Sequence, residues 1–312
     1  MKQHIFFEPL KMDVNQLYIV SGYATPNMTS WLMKNIDRTS STAIDIFLLI
    51  GMVPFDGLSV SVHNGFKELM SEPLPSSVKS LTCSYVYDTP VHSKLYIWAK
   101  DETPVIAFTG SANFTQSAFS NERREIMTDC DPVSAMQYFH TVESNCVYCN
   151  HAEVEEYIIL HPTHEILDNE NHPIRSFADG EVPSVTLSLL ARGGETGTRS
   201  GINWGQRAGR DKNQAYIPLP AKIARSGFFP LGKAHFTVVT DDGRTLILRV
   251  EQQNDKAITT PLCNAQLGEY LRNRIGVANG DYVWRADLER YGRTDITFFK
   301  LDEEQYYLDF SV

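Results

Sequence analysis

The sequence predicts two domains: an α/β domain with a mixed sheet and flanking helices, followed by a mainly β domain. Three observations predict this. Apolar strand-like runs alternate with segments of helical spacing in the first half of the chain. After residue 180, short strand-like runs are separated by Gly-rich or charged turns. A polar stretch containing prolines lies between the two patterns, so we place the domains at 1–165 and 181–312 with a linker over 166–180.

In the first domain, each apolar run is short enough for a strand and is followed by a turn or a helical period. The predicted elements are, in order, strand 17–25, helix 28–38, strand 44–53, helix 62–72, strands 80–88, 91–100, 104–115 and 124–131, and helix 131–146. The segment DETP predicts a turn between the strands 91–100 and 104–115.

The second domain has a different pattern of predicted secondary structure, with many short strands and little helix. Strands are predicted at 185–190, 215–220, 235–240, 245–250, 282–288, 296–301 and 305–310, and one helix at 263–276. Short strands in this number indicate a small barrel or sandwich.

Composition excludes several classes of protein. Of 312 residues, 42% are hydrophobic, which excludes a disordered or fibrous chain. The formal charge of -10 argues against a nucleic-acid partner at first sight, but it is uneven: residues 1–175 carry all of it, whereas 192–233 hold eight basic and two acidic side chains. A local basic segment is the better guide to a partner.

No apolar run is long enough to span a membrane and the N-terminus lacks a signal peptide, so we expect a cytoplasmic protein without a membrane partner. Five cysteines at irregular spacing indicate reduced thiols. Cys146 and Cys149, with His151, resemble half a zinc site, but no second pair follows at matching spacing. We therefore expect small buried thiols and no metal.

Two pairs of polar residues carry the chemistry of the first domain. His92 and Lys94 are two apart on a predicted strand and therefore share a face, and Ser111 and Asn113 are two apart where the next strand ends. If the strands are neighbours, the four side chains converge. An imidazole can attack phosphorus, and Lys and Asn can donate to the oxygens on which charge develops.

His-x-Lys followed by Gly-Ser-x-Asn resembles the catalytic motif of the phospholipase D superfamily. The resemblance implies phosphodiester hydrolysis through a phosphohistidine, without metal, and an acidic residue that orients the histidine. Glu125 is our first choice for this acid and Glu122 the alternative. The chain has Ala99 where many members have an aspartate. His63 and His140 are expected to be structural.

The motif occurs once, whereas the mechanism implied by the resemblance needs two histidines. We therefore expect a homodimer formed through the first domain, in which one histidine attacks phosphorus and the other protonates the leaving oxygen.

Two polar segments of the second domain are candidates for contact with DNA. They offer Arg for guanine, Asn and Gln for adenine, an acid for cytosine, and cations for phosphate. The first segment offers Trp204 as a brace, with Gln206, Arg207, Arg210, Lys212, Asn213 and Gln214; the second offers Gln252, Gln253, Asn254, Asp255 and Lys256. Arg290 and Arg293, on either side of Tyr291, are further candidates for the phosphate backbone.

The second domain resembles the B-three-like DNA-binding pseudobarrel, whose two arms occupy these places. Together, WGQR, NQAYIPLP and RTLILRVEQQNDKAI resemble the recognition domain of type II restriction endonucleases that carry an N-terminal phospholipase D-like nuclease. This resemblance implies a bacterial enzyme that cuts double-stranded DNA at a specific sequence.

Some members of that group resemble two-component systems with an ATP-dependent helicase-like partner. No GxxxxGK[ST] motif occurs here, so ATP and Mg would enter only through such a partner, and no cofactor is expected in this chain. Two alternatives stay open: a DNA-binding regulator with an inactive nuclease domain, and a lipid phosphodiesterase.

Overall fold

The structure is a computed structural model that describes residues 1–39, 42–120, 123–168, 170–174 and 182–312. The chain divides into two compact units, Met1–Thr163 and His164–Val312. Within the predicted linker 166–180, residues 169 and 175–180 lie outside the described ones. Its first residues, Ile166 and Leu167, are buried in a small apolar cluster of the second unit.

The first unit contains nine strands and four α-helices among its described residues. The strands are β1 (Gln16–Ser21), β2 (Ile44–Ile50), β3 (Leu58–Ser59), β4 (Val78–Val86), β5 (Lys94–Lys100), β6 (Thr103–Gly110), β7 (Met127–Cys130), β8 (Cys146–Tyr148) and β9 (Leu160–His161). The helices are α1 (Pro26–Thr39), α2 (Val53–Asp56), α3 (Val60–Ser71) and α4 (Pro132–Glu143).

Seven of these strands form one sheet in the order β7-β6-β5-β1-β2-β4-β8, and β3 pairs with β9 separately. β1, β2 and β4 run parallel to one another. β5, β6, β7 and β8 join antiparallel to their neighbours. The predicted mixed sheet is therefore confirmed.

The two faces of β5 serve different purposes. Leu95 and Ile97 pack with Phe139 of α4 in one apolar cluster. Because successive residues of a strand point to opposite faces, Lys94 and Tyr96 project from the other face. β5 and β6 are antiparallel neighbours joined by a tight turn at residues 101–102, so the predicted adjacency of the strands that carry the two polar pairs is confirmed.

The described residues of the second unit form seven strands and three α-helices. The strands are β10 (Ser184–Ser188), β11 (Ile217–Pro218), β12 (His235–Thr240), β13 (Thr245–Glu251), β14 (Ala257–Thr259), β15 (Asp295–Lys300) and β16 (Gln305–Asp309). The helices are α5 (Ala221–Ala224), α6 (Asn264–Ile275) and α7 (Arg285–Tyr291).

These strands form one sheet in the order β10-β15-β16-β12-β13-β14-β11, and its two end strands touch. The nearly closed sheet encloses a core of aliphatic and aromatic side chains to which α6 contributes Leu267, Leu271 and Ile275. This arrangement is consistent with the predicted pseudobarrel.

The strand predicted at 282–288 is wrong, because α7 begins within it. The Asp287 carboxylate accepts a hydrogen bond of 2.8 Å from the Trp284 N–H, which satisfies a free donor at the start of the helix. Arg285 and Glu289, four residues apart, then form an ion pair of 2.7 Å along the helix surface. The aromatic and β-branched residues of this segment favour a strand in the sequence. The N-terminal cap from Asp287 and the ion pair between Arg285 and Glu289 stabilise a helix instead.

None of the helices in the described part of the chain combines the length and the apolar composition needed to cross a membrane.

Candidate functional site

Lys94 is the first residue of β5, and its side chain is buried next to His92. Only 5% of the residue is exposed. Its Nζ lies 3.1 Å from Nδ1 and 3.4 Å from Nε2 of His92, and donates a hydrogen bond of 2.5 Å to the His92 carbonyl. Burial lowers the pKa of Lys94, and the Glu125 carboxylate opposes part of that shift. The lysine amine is thus held directly against the imidazole.

His92 precedes β5 and its side chain is exposed. The ring lies edge-on to Tyr23, with 6.1 Å between the ring centroids. The Tyr23 hydroxyl in turn donates to the Asp56 carboxylate, and this contact raises the pKa of Tyr23. An exposed imidazole beside a buried ammonium is open to a substrate, while Tyr23 limits its orientation.

Asn113 follows β6 and is held through its oxygen. Oδ1 accepts from the Tyr23 N–H at 3.1 Å and from the Ser21 hydroxyl at 3.4 Å. An amide whose oxygen is fixed by donors leaves its NH₂ group for an acceptor. The orientation therefore presents Nδ2 as a donor at the end of the strand.

Gly22 explains how the lysine and the asparagine reach the same place. A Cβ at this position would lie 3.3 Å from the Lys94 Nζ and 3.4 Å from the Asn113 Oδ1. Any side chain here would occupy the space between these two polar groups. The glycine after β1 thus leaves room for the Lys94 and Asn113 side chains beside it.

Ser111 and Glu125 form a second pair at the same edge of the sheet. The Ser111 hydroxyl donates to the Glu125 carboxylate and accepts from the Ile126 N–H at 3.0 Å. The expected contact between Glu125 and His92 is not made, because this carboxylate is turned to the serine. Glu122, the alternative acid, lies outside the described residues, so the choice between the two acids stays a prediction.

The remaining histidines of interest lie away from this site. His63 is 1% exposed and its Nδ1 lies 3.1 Å from the Tyr85 hydroxyl. Burial, with a smaller effect of the Lys67 charge, lowers the pKa of His63 to about 4. His140 is exposed and paired with Glu143 on α4. The partners of both side chains, Tyr85 and Glu143, lie outside the His92 cluster.

Cys146 and Cys149, which resemble half a zinc site in the sequence, have partners of their own in the fold. The Cys149 thiol is buried and donates to the Met70 sulfur at 3.2 Å, and Cys146 donates to a helix carbonyl. Among the described residues, no group of three or more His, Cys, Asp or Glu side chains could hold a metal ion.

The first candidate segment for DNA, here called arm 1 (residues 204–214), leads into β11. Its backbone begins in a 3₁₀ helix, Gly201–Gln206, and the Arg210 guanidinium lies 4.1 Å above the Trp204 ring. Arg210 also donates to the Gln214 side chain at 2.8 Å. The tryptophan braces this arginine, which stays exposed along with Arg207 and Lys212.

Two other members of arm 1 are engaged inside the unit. The Asn213 amide donates to Glu269 at 3.1 Å and accepts from the Gly280 N–H at 2.6 Å. The Gln206 amide donates to the Gly280 carbonyl at 3.0 Å. In this conformation both amides hold the arm in place, and their predicted contact with bases stays a prediction.

The second segment, arm 2 (residues 252–256), is the turn between β13 and β14. Gln252, Asn254 and Asp255 have positive φ angles, a conformation that Asn and Asp tolerate in tight turns. Gln253, Asn254 and Lys256 are exposed at its tip. The arm is a short, defined turn rather than a long flexible loop.

The two arginines predicted to contact the phosphate backbone already have anionic partners. Arg290 pairs with Asp287 at 2.6 Å. Arg293 pairs with Asp309 at 2.8 Å and with Asp295 at 3.1 Å. These ion pairs make Arg293 a structural link between strands, whereas Arg290 remains exposed.

Comparison with known families covers both units. A model of the NgoFVII restriction endonuclease N-terminal PLD domain matches residues 1–156. The chain belongs to the NgoFVII restriction endonuclease family. A model of the NgoFVII C-terminal B3-like DNA-binding domain matches residues 178–302. Both resemblances drawn from the sequence are thereby confirmed. No curated protein matches the chain.

Membership in the NgoFVII family assigns a PLD-like nuclease to the first unit and DNA binding to the second. No role was predicted from the sequence for Ser21, Gly22, Tyr23 or Asp56, although the segment IVSGYAT resembles the first strand of phospholipase D-like domains. The Ser-Gly-Tyr run in this segment, at the end of a buried strand, is the signal that could have indicated a polar edge there. Asp56 carried no such signal, because its contact depends on the packing of α2.

Proposed function

We propose that this chain is a type II restriction endonuclease that recognises a short duplex sequence through its second unit and hydrolyses DNA through its first. The observation that carries the catalytic part is the meeting of the His92 ring, the Lys94 ammonium and the Asn113 amide over Gly22. The family membership supports a nuclease acting on DNA.

His92 is the nucleophile of the proposed reaction. Its imidazole nitrogen forms a bond to phosphorus while the bond between phosphorus and the leaving oxygen breaks, and a second histidine gives its proton to that oxygen. Water, deprotonated by the second histidine, then attacks phosphorus and breaks the P–N bond. Lys94 and the Asn113 Nδ2 donate to the non-bridging oxygens, where charge develops. No metal ion enters this scheme.

The second histidine comes from a second copy of the chain. One motif supplies one nucleophile, so we propose a homodimer through the first unit in which His92 of the partner subunit is the acid and then the base. The exposure of His92 supports this arrangement, since a second chain can reach it. Crosslinking and sedimentation at several protein concentrations test the proposed dimer.

Recognition is assigned to the two arms. Arg207, Arg210 and Lys212 are exposed cations of arm 1 and are proposed to contact phosphates or guanine edges. Gln253 and Asn254 present amides at the tip of arm 2. Within arm 1, Trp204 positions Arg210, while Gln206 and Asn213 hold the arm in place.

Cleavage of a large phage DNA in EDTA tests the proposal. Discrete fragments are expected from the parent, and none from His92→Ala, which should still bind DNA. His140→Ala, an exposed histidine of the same unit, is the matched control and should cut normally. Unselective degradation by the parent would contradict sequence recognition.

A parallel reaction with Mg, ATP and extract of the source cells tests the proposed helicase-like partner. Fragments that appear only there indicate an ATP-dependent partner. Binding without cutting in both reactions would favour the alternative of a DNA-binding regulator.

A further inference from the structure

A third segment is fixed to arm 1 although it is distant in sequence. The loop between α6 and α7 (residues 276–284) receives the Gln206 and Asn213 contacts at Gly280. Val283 is bound on both sides by the Asn203 amide, at 2.8 and 2.9 Å. These hydrogen bonds join the loop to arm 1 and to the 3₁₀ helix at its start.

Arg272 strengthens this attachment from beneath. The guanidinium is fully buried and donates to the carbonyls of Asp281 at 2.9 Å and Ile202 at 3.2 Å. It also reaches the Asn213 carbonyl at 3.4 Å. One buried cation thus joins the loop, the 3₁₀ helix and arm 1.

This loop ends in an exposed aromatic pair. Trp284 is 63% exposed and is the largest of the exposed hydrophobic side chains among the described residues of the second unit. The Tyr282 ring lies 4.4 Å from it, centroid to centroid. The guanidinium of Arg285, the next residue, already binds the Glu289 carboxylate and donates to the Gly194 carbonyl. Together the two rings form an exposed aromatic surface on the loop that is bonded to arm 1.

We propose that Trp284, supported by Tyr282, is a third DNA contact of this unit, which packs on the duplex beside the site held by arm 1. The inference rests on the proposed DNA binding of arm 1. The duplex is the favoured occupant because the loop is continuous with an arm that exposes Arg207, Arg210 and Lys212. The indole brings no charge, so its contact is with sugar faces, base faces or thymine methyl groups.

The absence of charge gives the proposal a distinctive test. A lost phosphate contact lowers the dependence of affinity on salt by about one unit of log-log slope, whereas a lost apolar contact leaves that slope unchanged. Loss of one base-level contact in a specific duplex site costs about fivefold to about a hundredfold in affinity.

The experiment uses the full-length His92→Ala chain, which cannot cut by the proposed mechanism, and a duplex that this chain selects from a random-sequence library. Trp284→Ala should bind about fivefold to about a hundredfold more weakly with an unchanged salt slope, and Trp284→Phe should recover most of the affinity. Lys212→Ala should lower the slope. Tyr148→Ala, which removes an exposed aromatic from the first unit, is the control and should bind normally.

Equal binding by Trp284→Ala and its parent, both folded by thermal melting, overturns the inference alone. A weaker affinity accompanied by a reduced slope also overturns it, because the contact would then be electrostatic. If the parent selects no duplex, the proposed function of the unit fails and the inference fails with it.

Discussion

Gly268→Ala is expected to weaken the second unit and its DNA binding, although alanine is the better helix former. Gly268 lies within α6, where the helix touches arm 1. A Cβ there would lie 1.7 Å from the Asn213 carbonyl oxygen and 2.9 Å from the Arg272 Nη1. Since side-chain carbons do not approach backbone oxygens below 3.0 Å, the arm or the helix must move by more than about 1 Å.

The expected loss follows from the bonds that this movement breaks. Asn213 accepts from Arg272 through its carbonyl and is bonded through its amide to Glu269 and Gly280. Three hydrogen bonds at about 1 kcal/mol each amount to about 3 kcal/mol. Replacing a glycine inside a helix by alanine returns about 1 kcal/mol. The free energy of unfolding should therefore fall by about 2 kcal/mol.

Differential scanning calorimetry measures the effect, because it can resolve the two units as separate transitions. A loss of about 2 kcal/mol corresponds to a fall of about 4 to 8 °C in the melting temperature of a unit of this size. Asn273→Ala is the matched control: it lies exposed on the same helix and should be neutral or slightly stabilising. A Gly268→Ala protein that melts no lower than its parent and binds DNA equally well would refute this reasoning.

Three further outcomes are expected. The pKa of His63 is about 4 in the folded state and 6.5 in the unfolded state, so the unfolded state binds more protons between these pH values. The free energy of unfolding should therefore fall by about 3 kcal/mol as the pH drops from 6.5 to 4. Urea denaturation midpoints should fall less over this range for His63→Phe than for the parent. On the alkaline side of the pH–rate profile, cleavage should be lost with an apparent pKa below the ordinary lysine pKa of 10.5, because burial lowers the pKa of Lys94. An apparent pKa at or above 10.5 would contradict this. Gly22→Val should abolish cleavage while binding is retained, since its side chain would fill the space between Lys94 and Asn113; unchanged cleavage would contradict the proposed site.

Several features of the fold were predictable because their signals are local. The alternation of apolar runs and helical periods predicted the mixed sheet, and the DETP segment predicted the turn that makes β5 and β6 neighbours. The spacing of His92 and Lys94 indicated a shared direction, since the side chains of a strand alternate. The prediction of a strand at 282–288 was wrong, because it gave the aromatic residues more weight than the helix-capping role of Asp287.

The sequence by itself determined which chemical groups are present and which of them share a strand: His-x-Lys, Gly-Ser-x-Asn, and two polar arms between short strands. Such information follows from periods of two or four residues along the chain. Only the tertiary structure decided that Glu125 faces Ser111, that Asn213 and Gln206 hold arm 1, and that Trp284 stands beside it. These contacts join residues far apart in sequence, so packing of the whole unit sets them, and local propensity does not.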